Sequence, residues 1–196
     1  MILKGTKTAD NLMKAFAGES QARNRYAFYA SVADKEGFKQ IKNVFTETAE
    51  NEKEHAKRFY NFLLQGFLSE LPCSIEITAD FPVFRGNTLQ NLQAAAEGEK
   101  EEWYTLYPSF ADVAEAEGFP EIAAAFRMIA VAEKSHGTRY TKLAENIAND
   151  RVFKKDQSTT WKCTNCGYIH EGTEAPQQCP ACAHPQAYFE MMTESY

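Results

Sequence analysis

Two short motifs in this chain of 196 residues place a glutamate three positions before a histidine. One motif is Glu52 with His55, and the other, Glu133 with His136, follows it by 81 residues. If each motif lies on a helix, its two side chains share one face one turn apart, so both can reach the same ion. Carboxylate and imidazole groups are common ligands of transition metals. The motifs therefore indicate candidate metal sites.

The apolar pattern around the motifs predicts which acidic residues face the interior. In ETAENEKEHAKRF, residues 47–59, Glu52 and His55 continue the apolar stripe, whereas the other glutamates fall on a charged face. The stripes of two further helical segments pass through Glu19, Glu99 and Glu102. Buried carboxylates are costly unless positive charge compensates them, and divalent metals would supply that charge. Two Glu-x-x-His pairs with a glutamate from each of two other helices form the ligand set of dimetal bundles.

A structural explanation competes with this one. A single Glu-x-x-His in a charged helix is a weak indication of a metal, and a buried histidine bonded to a carboxylate is a common core feature. Here the motif occurs twice at one repeat distance, and inward acids are expected on both partner helices. This coincidence favours a dimetal site over core packing.

Helical periodicity and boundary residues predict an all-α four-helix bundle of the ferritin-like kind, with one long crossover. Glycine just past a predicted helix end and proline at a helix start mark the boundaries. The expected helices cover residues 10–36, 38–65, 88–117 and 120–149, and the crossover covers 67–87. The predicted domains are a bundle at 1–149, a polar linker at 150–160 and a small cysteine-containing domain at 161–196.

The two halves of the bundle repeat each other, with one irregularity in the third helix. Tyr107 follows Tyr26 by 81 residues, but Glu99 follows Glu19 by 80, so one extra residue lies between Glu99 and Tyr107. Pro108 also removes a backbone donor there. A π-bulge would absorb the extra residue and leave Glu99, Glu102 and Tyr107 all facing inward. The two tyrosines could donate hydrogen bonds at the site, although aromatic core packing explains them equally well.

The C-terminal segment contains two Cys-x-x-Cys pairs separated by a twelve-residue spacer. The pairs are Cys163 with Cys166 and Cys179 with Cys182. This spacing predicts four thiolates placed tetrahedrally around one metal, which a domain this small needs in order to fold. Zinc would make the domain a structural unit, whereas iron would make it a one-electron carrier.

Composition narrows the class of protein further. The formal net charge of −6 argues against a nucleic-acid-binding surface, which needs clustered lysine and arginine. No apolar run approaches the roughly 18–20 residues of a membrane span. The start, MILKGTKTAD, lacks the apolar region of a secretory signal, so a cytoplasmic location is expected.

These motifs together resemble the rubrerythrin family over essentially the whole chain. The matching stretches are AFAGESQARNRY at 15–26, ENEKEHAKR at 50–58, GEKEEW at 98–103, VAEKSH at 131–136 and WKCTNCGYIHEG…CPACAHP at 161–185. The resemblance implies a ferritin-like bundle with a non-haem di-iron centre, and a rubredoxin-like domain with one Fe(Cys)4 iron, which zinc can replace on heterologous expression.

The resemblance also implies roles for individual residues. The iron ligands of the bundle would be Glu19, Glu52, His55, Glu99, Glu102, Glu133 and His136, and those of the tail Cys163, Cys166, Cys179 and Cys182. Glu52 and Glu133 would bridge the two irons. Glu102 would exchange with His55 as the oxidation state changes. With Glu102, Tyr26 and Tyr107 are the candidate catalytic residues.

The activity that the resemblance implies is peroxidase activity. The protein would reduce hydrogen peroxide to water in oxidative stress protection, with electrons relayed through the Fe(Cys)4 domain. Its electron donor would be an NAD(P)H-linked rubredoxin reductase or a rubredoxin, and it would form a homodimer or a larger head-to-tail assembly. The alternatives are an iron-storage ferroxidase and a non-catalytic metal-binding protein with a zinc tail.

Overall fold

A computed structural model describes residues 1–193 of the chain, so residues 194–196 of the predicted C-terminal domain lie outside the described part. The helices are α1 Lys7–Lys35, α2 Lys39–Gly66, α3 Thr88–Glu101, α4 Tyr107–Ala116 and α5 Pro120–Ala148. A π-helical segment, Glu102–Leu106, joins α3 to α4, so these three elements form one continuous rod. Residues 67–87 cross between the two halves without a helix or strand. The predicted four-helix bundle with one crossover is confirmed.

The bundle consists of two helix pairs that follow the sequence repeat. α1 packs along α2, and the α3–α4 rod packs along α5. Within each pair a short turn contains a glycine with positive φ, Gly37 at 83° and Gly118 at 81°. A side chain at either position would strain this left-handed conformation, so glycine ends each helix as expected. In the described part of the chain, none of the helices is long and apolar enough to cross a bilayer.

Two aromatic clusters related by the repeat fill the two ends of the bundle. One contains Tyr26, Tyr29, Phe45 and Tyr140, and the other contains Tyr107, Phe110, Phe126 and Phe59. Equivalent pairs have similar geometry: the ring centroids of Phe45 and Tyr140 are 5.0 Å apart, and those of Phe126 and Phe59 are 4.9 Å apart. Full burial of each ring stabilises the fold by about 1.5–3 kcal/mol. The repeat is therefore a pseudo-two-fold arrangement of the core.

Repeat-related glutamates cap helices of the opposite half. The Glu117 carboxylate accepts hydrogen bonds from the Lys7 and Thr8 backbone amides at 3.0 and 2.8 Å, at the start of α1. Glu36, which lies 81 residues earlier, accepts from the Thr88 amide at 2.9 Å, at the start of α3. The first amides of a helix have no partner within the helix, so a carboxylate is favourable there. These contacts tie the two halves of the bundle together.

Replacing Glu117 by alanine is expected to destabilise the bundle by about 1 kcal/mol at neutral pH, because the Lys7 and Thr8 amides in the first turn of α1 lose their acceptor. Hydrogen bonds from Thr8 lower the pKa of Glu117, so the cap stabilises the fold above the ordinary pKa of a glutamate and is lost as the pH falls through the lowered value. Chemical denaturation of the wild type and the variant at neutral and acidic pH measures this difference. Glu97→Ala, on an exposed face of α3, is the control, and an equal loss there would contradict the capping role.

The C-terminal segment folds into a small antiparallel sheet. Its strands are β1 Lys154–Cys163, β2 Ile169–Glu174 and β3 Phe189–Met191, in the order β2-β1-β3. β1 begins inside the segment predicted as a linker, because Lys154 pairs with Glu174 and Thr159 with Gly172. The connection between the bundle and the sheet is therefore only residues 149–153, between the end of α5 and the start of β1. The domain boundaries themselves stay a prediction.

The sheet packs against the turn between α1 and α2. The rings of Phe38 and Phe153 stack with centroids 6.3 Å apart and an angle of 6° between their planes. The Lys39 ammonium lies 5.3 Å from the centre of the Tyr188 ring, which is within range of a cation–π contact. The C-terminal domain therefore has a defined contact with its own bundle.

Candidate metal centres

The bundle brings six metal-binding side chains together between its helices. They form two overlapping groups, the first of Glu19, Glu52, His55 and Glu133 and the second of Glu52, Glu99, Glu133 and His136. Within each group, one donor atom from every side chain lies within 4.8 Å of the others. The four glutamates are at most 1% exposed, as the apolar stripes predicted. Glu52 and Glu133 belong to both groups.

The two shared carboxylates each direct one oxygen to each histidine. His55 Nδ1 lies 2.9 Å from Glu52 Oε2 and 2.8 Å from Glu133 Oε1. His136 Nδ1 lies 3.3 Å from Glu52 Oε1 and 2.8 Å from Glu133 Oε2. The remaining acid of each group is farther away, with Glu19 Oε1 at 3.9 Å from His55 and Glu99 Oε2 at 3.8 Å from His136. This is the pattern of two adjacent ion positions bridged by two carboxylates.

The cluster holds more carboxylate oxygens than its histidines can satisfy. Among the described residues, Glu19 Oε2 and Glu99 Oε2 have no hydrogen-bond partner, and Glu52 Oε1 and Glu133 Oε1 each share a histidine Nδ1 with another carboxylate oxygen. A buried polar atom without a partner costs about 1–3 kcal/mol, and more when it is charged. This excess of buried acceptors fits a site that binds cations, and carboxylate oxygens with imidazole nitrogens fit two iron ions.

The pKa values show how unfavourable this cluster is without cations. Burial, together with the charges of Glu133, Glu102 and Glu52, holds the pKa of Glu19 well above its usual range, and burial raises the pKa of Glu99 to about 8. Burial opposes protonation of His55, but hydrogen bonds to Glu133 and Glu52 outweigh it and raise the pKa of His55 to about 9. Protons bound to these groups offset the same negative charge that bound cations would neutralise.

The predicted π-bulge is confirmed and lies at the position of the extra residue. The π-helical segment begins at Glu102, directly after α3, and ends just before Tyr107. Glu102 lies outside both donor groups, is partly buried and lines a cavity beside them. Burial and the nearby charges of Glu99, Glu133 and Glu52 raise the pKa of Glu102 well above its usual range. The bulge thus places one more carboxyl next to the cluster.

Both repeat-related tyrosines donate hydrogen bonds to carboxylates of the cluster. The Tyr26 hydroxyl donates to Glu99 Oε1 at 2.6 Å, and the Tyr107 hydroxyl donates to Glu19 Oε1. Both rings also belong to the aromatic clusters, so the two roles considered from the sequence coexist. Glu19 and Glu99 each belong to only one donor group, and each is oriented by one of the two tyrosines.

Replacing Tyr107 by phenylalanine is expected to weaken iron binding in the first donor group by about 10–100-fold, because Glu19 loses the donor that orients it. Anaerobic titration with ferrous iron, followed by dialysis and metal analysis, measures this loss. Tyr29→Phe is the matched control, since the Tyr29 hydroxyl donates to the Phe84 carbonyl at 2.9 Å and contacts no cluster acid. Equal iron affinity in wild type and Tyr107→Phe would contradict the orienting role.

The charged background of the first motif lies on the surface, as predicted. Glu47 pairs with Arg139, Glu50 with Lys53 and Glu54 with Lys57, and these side chains are all substantially exposed. Exposed pairs of this kind contribute little to stability. The helix therefore presents Glu52 and His55 inward and its other acids to solvent.

The four cysteine sulfurs of the C-terminal domain lie within 4.8 Å of one another. Cys163 Sγ lies 3.8 Å from Cys182 Sγ, and Cys166 Sγ lies 3.6 Å from Cys179 Sγ. Metal–sulfur bonds of about 2.3 Å in a tetrahedral site place the sulfurs about 3.8 Å apart. A hydrogen bond from the His184 backbone amide lowers the pKa of Cys182, which favours the thiolate that binds metal. The geometry fits a single M(Cys)4 ion.

Fold and sites together define a ferritin-like dimetal bundle joined to a rubredoxin-like four-cysteine domain. Residues 10–144 match the family described as Rubrerythrin, and residues 161–190 match the rubredoxin-like domain of rubrerythrin. The chain belongs to the rubrerythrin family. It therefore carries a carboxylate–histidine site of the di-iron type and a rubredoxin-type four-cysteine site.

Relatives match along nearly the whole chain. A rubrerythrin of Clostridium perfringens is 63% identical over 195 residues, covering 99% of this chain and 98% of the relative. A rubrerythrin of Nitratidesulfovibrio vulgaris is 51% identical over 191 residues, covering 97% and 96%. Among solved structures, fully reduced, all-ferrous nigerythrin has a TM-score of 0.63 at 28% identity and covers 97% of this chain and 92% of its own.

Three features of the structure were not predicted from the sequence. They are the capping by Glu36 and Glu117, the start of β1 at Lys154, and the cavity beside Glu102. The sequence did carry signals for the cavity, because Gly18 and Gly98 lie inside helices directly before Glu19 and Glu99. Glycine inside a helix costs about 1 kcal/mol relative to alanine, so its presence calls for a reason.

Proposed function

We propose that this chain is a non-haem di-iron peroxidase that reduces hydrogen peroxide to water. One observation carries the proposal: a single chain contains both a carboxylate–histidine cluster that fits two ions and a four-cysteine site. The four-cysteine site would pass single electrons when it holds iron. A site that stores two electrons and a carrier that refills it one at a time fit a two-electron reduction of peroxide. An iron-storage ferroxidase has no need of such a carrier.

Within this proposal each donor group holds one iron. Glu19 and His55 would hold one ion and Glu99 and His136 the other, and Glu52 and Glu133 would contribute to both. When bound, two ferrous ions supply the two electrons that cleavage of one O–O bond requires, and they act as Lewis acids. The tail cysteines would hold a third iron as the electron relay.

The protein's own side chains prepare the site for this chemistry. Burial keeps the pKa of Tyr107 and of Tyr26 well above the usual range, so both hydroxyls stay protonated and keep donating to Glu19 and Glu99. Their bonds hold those carboxylates in place while peroxide binds. Glu102, which lies beside the cluster, would be available to take the place of His55 as a ligand when the oxidation state of the metal changes.

Electron supply and assembly follow from the same proposal. The donor is an NAD(P)H-linked rubredoxin reductase or a rubredoxin, which would reach the four-cysteine domain in the cytoplasm. The working form is a homodimer in which the C-terminal domain of one chain approaches the bundle of the other. The domains are the bundle at 1–149 and the rubredoxin-like domain at 161–196.

An anaerobic titration tests the proposed activity. Protein purified from its native host is reduced fully with dithionite, freed of excess reductant and titrated with hydrogen peroxide while its visible spectrum is recorded. Three ferrous ions per chain supply three electrons and each peroxide takes two, so we expect full oxidation to consume about one and a half equivalents of peroxide, with a thiolate-to-iron band reporting the oxidised tail. A colourless tail containing zinc would remove the relay, and a bundle that peroxide does not oxidise would refute the peroxidase.

A further inference from the structure

A cavity of about 360 Å³ lies beside the metal cluster, between α1, the α3–α4 rod and the crossover. Its lining includes Glu102 and the buried Tyr107, which belong to the site, and Gly18 and Gly98, which directly precede Glu19 and Glu99. The exposed crossover residues 78–82 form its outer wall. The cavity therefore connects the surroundings of the crossover with the acids of the metal site.

The cavity is much larger than hydrogen peroxide requires. A water molecule occupies about 30 Å³ in the liquid, so the cavity is roughly ten times that volume. Its apolar walls are formed by Ala15, Phe81, Pro82, Leu106 and Phe110, and its lining also contains the charged residues Lys14, Arg25, Asp80 and Glu101 besides Glu102. A concave space that combines apolar walls with polar groups is typical of a site for a small organic molecule.

The two glycines keep this space open. A Cβ atom built on Gly98 would meet nothing within 4 Å, and one built on Gly18 would lie 3.9 Å from Phe81 Cε1. Neither glycine has a positive φ or a tight helix contact that would require it at its position. Gly98 lines this cavity and also an adjacent groove that contains Ala94 and Tyr104, so a side chain there would enter open space. A side chain at Gly18 would approach Phe81, which lines the cavity, so the glycines leave space at this wall.

We propose that the cavity binds the organic group of alkyl and aralkyl hydroperoxides, which the enzyme reduces in addition to hydrogen peroxide. This inference rests on the proposed peroxidase function and names a second substrate class for the same site. The apolar tail of the substrate lies against Phe81, Leu106 and Phe110, with its peroxide group directed to the cluster beside Glu102. The polar and apolar parts of the lining match the two ends of such a molecule.

The reaction balances with the electrons that the proposed function already provides. The O–O bond of ROOH breaks, two electrons come from the reduced di-iron centre, and two protons complete an alcohol ROH and one water. A one-electron donor such as dithionite or a reduced rubredoxin restores the centre in two steps. No further reactant is needed.

A comparison of two substrates at single turnover tests the proposal on the full-length iron-loaded protein. Reduced protein is mixed in separate stopped-flow experiments with hydrogen peroxide and with cumene hydroperoxide, and the ratio of the second-order rate constants is compared between variants. Gly98→Leu fills the cavity, and we expect it to lower the rate for cumene hydroperoxide relative to that for hydrogen peroxide by at least about tenfold. Ala124→Leu, at an exposed position of α5 outside this cavity, should leave the ratio unchanged.

A binding measurement provides a readout that does not depend on turnover. Isothermal titration of the same proteins with 2-phenyl-2-propanol, the alcohol product, should detect binding to the wild type and to Ala124→Leu. Gly98→Leu should weaken this binding by at least about tenfold, because it removes the space for the ring. Iron analysis of each variant confirms that the neighbouring Glu99 still binds metal.

The outcomes separate this inference from the function on which it rests. Oxidation of the wild type by hydrogen peroxide but not by cumene hydroperoxide would overturn the second substrate class and leave the peroxidase standing. Oxidation by neither peroxide would refute the peroxidase itself. An equal response of Gly98→Leu and Ala124→Leu in both experiments would show that the organic group binds elsewhere, which also overturns the inference.

Discussion

Replacing Glu133 by alanine is expected to empty the di-iron centre while the iron of the four-cysteine domain stays in place. Glu133 lies 2.8 Å from the Nδ1 atoms of both His55 and His136, one through each carboxylate oxygen. Hydrogen bonds from the two histidines outweigh burial and lower the pKa of Glu133 to about 2, so Glu133 keeps its negative charge at neutral pH. Its loss removes a ligand from both proposed ion positions at once.

The expected size of this effect is large. Removal of groups that only support metal ligands typically costs 10–100-fold in affinity or activity, so loss of a shared ligand should exceed about 100-fold. Metal analysis per chain and the rate of peroxide reduction measure it, with the thiolate-to-iron absorption of the tail as an internal reference. Glu145→Ala, an exposed glutamate on the same helix, is the matched control. Full bundle occupancy in Glu133→Ala would exclude Glu133 as a bridging ligand.

Replacing Cys179 by serine should separate the two sites functionally. Cys179 is buried in the core of the small sheet, and its sulfur lies 3.6 Å from that of Cys166. Because four thiolates bind one ion, losing one is expected to release the iron and loosen the domain that folds around it. Turnover supported by a reductase should then fall to the level of direct electron transfer to the bundle.

Single turnover should survive the same substitution. A bundle reduced chemically with dithionite carries its own two electrons, so Cys179→Ser should react with peroxide as the wild type does. Cys73→Ser, which changes an exposed cysteine outside the four-cysteine site, is the control for both measurements. Reductase-driven turnover at the wild-type rate in Cys179→Ser would show that the tail is not the relay.

The sequence could predict that the carboxylate and histidine side chains of the bundle lie together, because these residues follow local rules. Glu-x-x-His puts two ligands on one helix face, and the 81-residue repeat supplies the same face again in the other half. The π-bulge was predictable for a similar reason, since one extra residue between Glu99 and Tyr107 had to be absorbed if both faced inward. Helix geometry links such features to positions in the sequence.

The features that sequence reasoning missed depend on contacts between distant segments. Glu117 caps α1, which begins 110 residues earlier in the chain. No local sequence pattern around an exposed glutamate at a helix end predicts which distant helix it will contact. β1 begins at Lys154 because this residue pairs with Glu174 on β2. The register of such a strand pair is defined only once the sheet has formed. The cavity at Gly98 exists only once the crossover lies over the bundle.

One measurement tests the peroxidase most directly. Fully reduced, iron-loaded protein is mixed in a stopped-flow instrument with hydrogen peroxide and, separately, with dioxygen, and oxidation of the di-iron centre and of the Fe(Cys)4 site is followed. We expect peroxide to oxidise the di-iron centre much faster than dioxygen does, and the tail to be oxidised afterwards as it passes electrons to the bundle. Faster oxidation by dioxygen, or a tail that is oxidised without the bundle, would contradict this expectation.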